Sequence, residues 1–136
     1  MCVSFETSKI QISLKKWLDA KFHIDLWKSL EKLRNQWALI FASWMNYHNM
    51  RWFFSKDWLE NSQKFNNYLQ KVISKEAEER NNDLINWKSF PMALQCHPRE
   101  EHLIPLMVVS WASWQDKWKV DFKSEVLWVE LISFKF

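Results

Sequence analysis

A chain of 136 residues supports one domain, and a domain of this size buries roughly two-thirds of its unfolded surface, so it can hold a real core. Its net charge of +3 comes from scattered lysines rather than a basic stripe, which argues against nucleic acid as the main partner. Two cysteines, Cys2 and Cys96, make no disulfide framework and point to a reducing compartment. No signal peptide and no apolar run of membrane-spanning length is visible, so the expectation is a cytoplasmic chain without a membrane partner.

Ile10-Gln11-Ile12-Ser13-Leu14 alternates apolar and polar residues, the period of a strand with one buried face, and its place near Met1 suggests a chain that starts at the edge of a sheet. Asp19 is a helix cap for a covering helix from about Ala20 to Asn35, with Phe22, Leu26, Leu30 and Leu33 on its apolar side; His23 beside that stripe reads as solvated or core-edge. Ala38-Leu39-Ile40-Phe41-Ala42-Ser43 is a continuous apolar run, as expected of a strand buried on both faces, and its carboxyl end carries Asn46, Tyr47, His48 and Asn49. Two polar helices follow, Lys56 to Lys75 and Glu76 to Trp87, the run Lys75 to Arg80 reading as a solvated face. After a polar loop come Val120-Asp121-Phe122, a turn at Lys123-Ser124, and a terminal strand within Glu125 to Phe136.

The densest chemistry lies between these, in His97-Pro98-Arg99-Glu100-Glu101-His102-Leu103-Ile104-Pro105, just ahead of the apolar run Leu106 to Val109. Two imidazoles and two carboxylates within six positions are metal-capable groups beside a segment that must be buried. Pro98 suits a first helical position, so the spacing predicts a helix from about Pro98 to Ala112, with His102 facing inward alongside Pro105, Leu106 and Val109. On spacing alone the plainer reading leads: two solvated glutamates at a helix start and a core histidine bonded to backbone, since this is no HExxH. Cys96 beside His97 reads as a small buried hydrophobe before a reactive thiol.

Taken together, Ser43-Trp44-Met45-Asn46-Tyr47-His48-Asn49 and His97 to Leu106 resemble the SGxxxHN and HPxxEHxxPL elements of the class III extradiol ring-cleavage dioxygenases (LigB-type superfamily), specifically the 4,5-DOPA dioxygenase-like group. The resemblance implies an α/β fold, the C-terminal part of a LigB-like domain, with a central, mostly buried sheet flanked by helices. It implies opening of a catechol-type ring with O2 at a non-haem Fe(II) or Zn(II). His102 and His48 match metal ligands, His48 also matching a catalytic acid/base in some relatives. His97, Glu101 and Asn49 are expected to orient them. The family's remaining ligands lie in an N-terminal half that this chain lacks, so the missing half is an expected partner and 1–136 alone an incomplete enzyme. A non-catalytic scaffold of the same fold is the alternative.

One departure is compositional. The chain has no Gly and eleven Trp, where ordinary usage of about 7% Gly would give on the order of ten glycines. Trp44 stands where the resembled motif has glycine, Trp37 where a helix would end on one, and Trp111, Trp114 and Trp118 punctuate a loop-like stretch; Trp17, Trp27, Trp52, Trp58 and Trp128 are further candidates, Trp87 alone reading as a genuine tryptophan. The pattern fits a UGA codon decoded as Gly in the source organism and written here as Trp. The alternative, a Trp-rich surface for a sugar, a membrane or another ligand, requires the indoles on exposed faces.

Overall fold

The computed structural model describes residues 10–28, 31–36, 38–52, 57–113 and 115–136. Asp19 Oδ1 accepts the Phe22 N–H and starts α1 (Ala20–Lys28), as its residue type predicted. The expected single helix to Asn35 is here α1 and a short α2 (Glu31–Arg34). Neither half of that helix hides its stripe well: Phe22 and Leu33 remain over a third exposed. His23, by contrast, is fully buried, with Nδ1 on the Asp19 carbonyl at 2.6 Å and Nε2 accepting the Lys15 N–H at 3.0 Å, so both ring nitrogens serve structure.

The next helices follow the sequence closely. α3 (Asp57–Ile73) has Asp57 and Glu60 in its first turn, where carboxylates complement the helix dipole, and buries Trp58, Phe65, Leu69 and Val72. α4 (Ala77–Ile85) leads into a 3₁₀ turn, Trp87–Ser89, and a single-turn α5 (Ala93–Cys96). The run before Asn81 is not simply a solvated face, because Arg80 is buried. Its Nε donates to Ser110 Oγ at 3.0 Å, Nη2 donates to the Ser110 carbonyl, and the guanidinium lies 5.7 Å from the Trp118 ring centre. Lys75 pairs outward, with Glu79 of the same run and with Asp83.

α6 (Ile104–Ala112) is the centre of the core. Ile104, Leu106, Met107, Val108, Val109 and Ala112 are all buried, and a helix apolar on every side must be covered on every side. α1, α2 and α4 pack against it. It starts six residues later than predicted from Pro98. Pro105, lacking an N–H and clashing with a preceding turn, is tolerated only in a first turn, and that is where it falls. Residues 98–103 are therefore turns, and His102 owes its direction to them rather than to a helical face.

The hairpin of β1 (Lys119–Val126) and β2 (Val129–Lys135) closes the chain, β2 packing on α3. β1 runs straight through Lys123-Ser124, where a turn was expected, and the reversal falls at Leu127-Trp128. Both loop residues have positive φ, 49° and 65°, as a type I′ loop requires; Asn-Gly is its usual occupant, because a Cβ makes that conformation costly. Trp128 adopts it with half its surface exposed and so gains little packing in return.

The described residues are thus mixed helix and strand, with a two-stranded antiparallel sheet in place of the central buried sheet expected. Ile10–Leu14 and Ala38–Ser43 form no regular element, and neither is paired into it. The reason is visible in Ala38–Ser43. Ile40 and Ala42 pack on the core while Leu39 is 92% and Phe41 84% exposed, and residues 39–43 have no backbone hydrogen bond among the described residues. An apolar run that needs cover on both faces has it on one.

Candidate metal centre

Two irregular segments meet edge to edge and are sewn together by four hydrogen bonds. The Met45 N–H donates to the His102 carbonyl at 2.9 Å and the His48 N–H to the Cys96 carbonyl at 2.8 Å. His97 Nε2 donates to the Asn46 carbonyl at 2.8 Å, and Asn49 Nδ2 to the Gln95 carbonyl at 2.7 Å. Neither segment forms a regular strand, so side chains supply half of the cross-links. The first segment is anchored a second time. Buried Asn46 donates to Asn66 Oδ1 and to the Glu130 carbonyl and accepts the Ile132 N–H, while Asn66 donates to Glu130 Oε1, which ties the segment to α3 and β2.

This frame brings His48 and His102 face to face. Their ring centres are 3.6 Å apart and the planes tilted by 36°. With Glu101 they form a cluster in which one donor atom from each residue lies within 4.8 Å of the others, all three residues being half-buried. Two imidazole nitrogens and a carboxylate oxygen at that separation match the donor set that Fe(II) and Zn(II) take from proteins. Glu101 Oε2 strengthens the fit: it is buried, accepts no hydrogen bond among the described residues, and has Arg99 Nε at 3.6 Å. Glu101, expected to orient a ligand, is placed so that one of its own oxygens belongs to the cluster.

Electrostatics favour the neutral ring at His48 and at His97. Burial first, and then the adjacent His102, hold His48 below the ordinary histidine value, Glu101 pulling the other way; its lone pair therefore stays available further into acid than that of a free imidazole. His97 is fully buried against Phe65 and Trp87, and burial pushes it down to about 4. Since Nε2 donates to Asn46, Nδ1 carries a bare lone pair with no partner among the described residues, and a proton placed there would find no acceptor.

Of the predicted site residues, His48, His102, Glu101, His97 and Asn49 all gather here. Asn49 also accepts the Arg51 N–H, capping the 3₁₀ turn Met50–Trp52. Cys96 is buried within the same frame and its thiol is pushed up to about 12, the behaviour of a packing residue. Asn46, Asn66 and Glu130 were not anticipated, because nothing in their spacing announces a network spanning 84 positions. The Trp-rich surface finds little support: Trp58, Trp87 and Trp118 are buried, Trp44 stacks on Phe134, and only Trp17 and Trp128 are exposed among the tryptophans whose side chains are described. Trp37 and Trp114 lie outside the described residues.

No family model and no curated protein matches the chain. No helix among the described residues is long and apolar enough to cross a membrane.

Proposed function

We propose that this chain carries a mononuclear metal site, built from His48, Glu101 and His102, that serves ring opening of a catechol by O2 in a LigB-type α/β dioxygenase. The observation that carries the reading is the convergence of His48 and His102 from positions far apart in the chain, with a buried carboxylate oxygen beside them. A bound Fe(II) or Zn(II) would supply the positive charge that favours ionised catechol oxygens.

The chain's own residues divide the remaining work. His102 and Glu101 hold position through the turns ahead of α6. Alternatively, with Glu101 and His102 alone on the ion, His48, held below the ordinary histidine value by burial, would have its ring lone pair free to take a catechol proton and return it to the opened product. His97 and Asn49 fix the two segments to each other and so set the distance between the imidazoles. Three donors, on half-buried residues, make a site that is weak by itself. Purified 1–136 is expected to bind metal weakly and to consume no O2 with catechol, and addition of the missing N-terminal half to restore turnover. An oxygen electrode with Fe(II) and catechol tests this. Binding of metal without oxygen uptake in the reconstituted protein would favour the non-catalytic scaffold.

A further inference from the structure

We propose that β1 (Lys119–Val126) is the interface to a second copy of this chain, the two β1 strands pairing antiparallel about a two-fold axis at Ser124 into one four-stranded sheet. All residues of β1 except Ser124 are exposed. The two edges of the hairpin differ. Along the far edge of β2, the Glu130 N–H donates to Ser62 Oγ, the Glu130 carbonyl accepts from Asn46 and Asn66, and the Ile132 N–H donates to Asn46 Oδ1. Side chains thus close that edge to a further strand. The same bonds fix the direction of the other edge. In an antiparallel ladder, residues opposite each other turn their N–H and C=O groups either toward one another or both away. Glu130 and Ile132 point away from β1, so Glu125 and Lys123, opposite them, point away from β2. Their backbone groups meet no partner on that side among the described residues.

That edge is complementary to itself. A two-fold axis at Ser124 sets Lys123 opposite Glu125 of the second copy, and Glu125 opposite its Lys123, so the residues with outward backbone groups also carry opposite charges. Moving the axis by one residue sets lysine against lysine or pushes Lys123 onto Asp121, which the bulge between Val120 and Phe122 takes out of the ladder; an axis at Glu125 sets glutamate against glutamate. A lysine in an edge strand ordinarily guards against pairing, but opposite a glutamate it favours it. On the α3 side Lys123 Nζ already lies 3.1 Å from Glu130 Oε2, and Glu125 Oε1 accepts from Gln63 at 3.4 Å, so the new pairs extend an existing row of charge. On the opposite face the same register sets exposed Phe122 against Val126 of the second copy, an aromatic on a β-branched side chain, and does so twice. The helices leave room. α3 packs chiefly on β2, and the two β2 strands would sit about 14 Å apart, where neighbouring helices need about 10 Å. The pairing does not depend on the metal-site reading.

The test is sedimentation equilibrium of 1–136 at concentrations up to about 1 mM, alongside Lys123→Glu, Glu125→Lys and an equimolar mixture of the two. The expected result is a dimer with Kd on the order of 100 µM, the weak end that suits an interface below the standard size. Each single variant sets like charges opposite each other and should weaken self-association roughly tenfold or more. The mixture restores opposite charges at both pairs and should dimerise as the unsubstituted chain does. The double variant Lys123→Glu/Glu125→Lys exchanges the charges within one chain and should dimerise alone, which tells repulsion from misfolding. A monomer at every concentration, a dimer indifferent to the single substitutions, a mixture that associates no better than its parts, or a monomeric double variant with native circular dichroism would overturn the proposal.

Discussion

Two stretches of this chain lie side by side in sequence and were resolved in opposite ways. Residues 45–49 are joined to 95–102 by four hydrogen bonds, two of them between backbones, and are moored to α3 and β2 through Asn46. Residues 39–43, immediately before them, have one face packed and no backbone partner among the described residues. A polar site can be preformed by local cross-links while the segment that leads into it keeps one face bare. The site's geometry and the fold's completeness are therefore separate questions, and substitutions can address each alone.

The largest effect should come from cutting the mooring. Asn46→Ala removes three buried hydrogen bonds and takes the donor from Asn66 Oδ1, costing about 4 kcal/mol in urea unfolding. A loss under about 1 kcal/mol would show that the network does not hold the segment. Acid attacks the same frame through His97. Its folded pKa of about 4 lies below the unfolded value of about 6.5, so its contribution is complete above pH 6.5 and fades as pH falls toward 4, by about 3 kcal/mol in all. His97→Phe should flatten that slope in unfolding midpoints taken across the range; an unchanged slope would assign it to other groups.

Smaller effects sharpen the other side of the comparison. Trp128→Gly relieves a left-handed residue in the hairpin loop and should raise stability by about 1 kcal/mol; a loss of stability would mean the exposed indole contributes more than its conformation costs. Leu39→Lys/Phe41→Lys, on the bare face, should move the isolated chain by no more than about 0.5 kcal/mol, whereas a large loss would show that these side chains already pack on something.

The legible parts were those where a local rule governs. The amphipathic spacing of α3, the largely apolar α6 and the Asp19 cap came through because period and residue type decide them. The start of α6 did not, since Pro98 and Pro105 each suit a first turn and only packing chooses between them. The residues of the candidate site stood out in the sequence, but the place of Glu101 in the cluster did not, because a carboxylate beside a histidine has no stated direction until the turn geometry is known. The hairpin reversal was hidden by Leu127-Trp128, a dipeptide with no turn signal. If residue 128 is glycine in the natural protein, the signal was present and rewritten; an intact mass of natural material lighter by one glycine-for-tryptophan difference per site would show it, and a mass matching eleven tryptophans would refute it.

The convergence of His48, Glu101 and His102 on one ion is tested most directly by titrating metal-free 1–136 with Zn(II) in a calorimeter, alongside His48→Ala, Glu101→Gln and His102→Ala. One weak equivalent, lost or sharply reduced in each variant while the fold persists, is the expected result. No binding by the unsubstituted chain, or binding that survives loss of either imidazole, would contradict it.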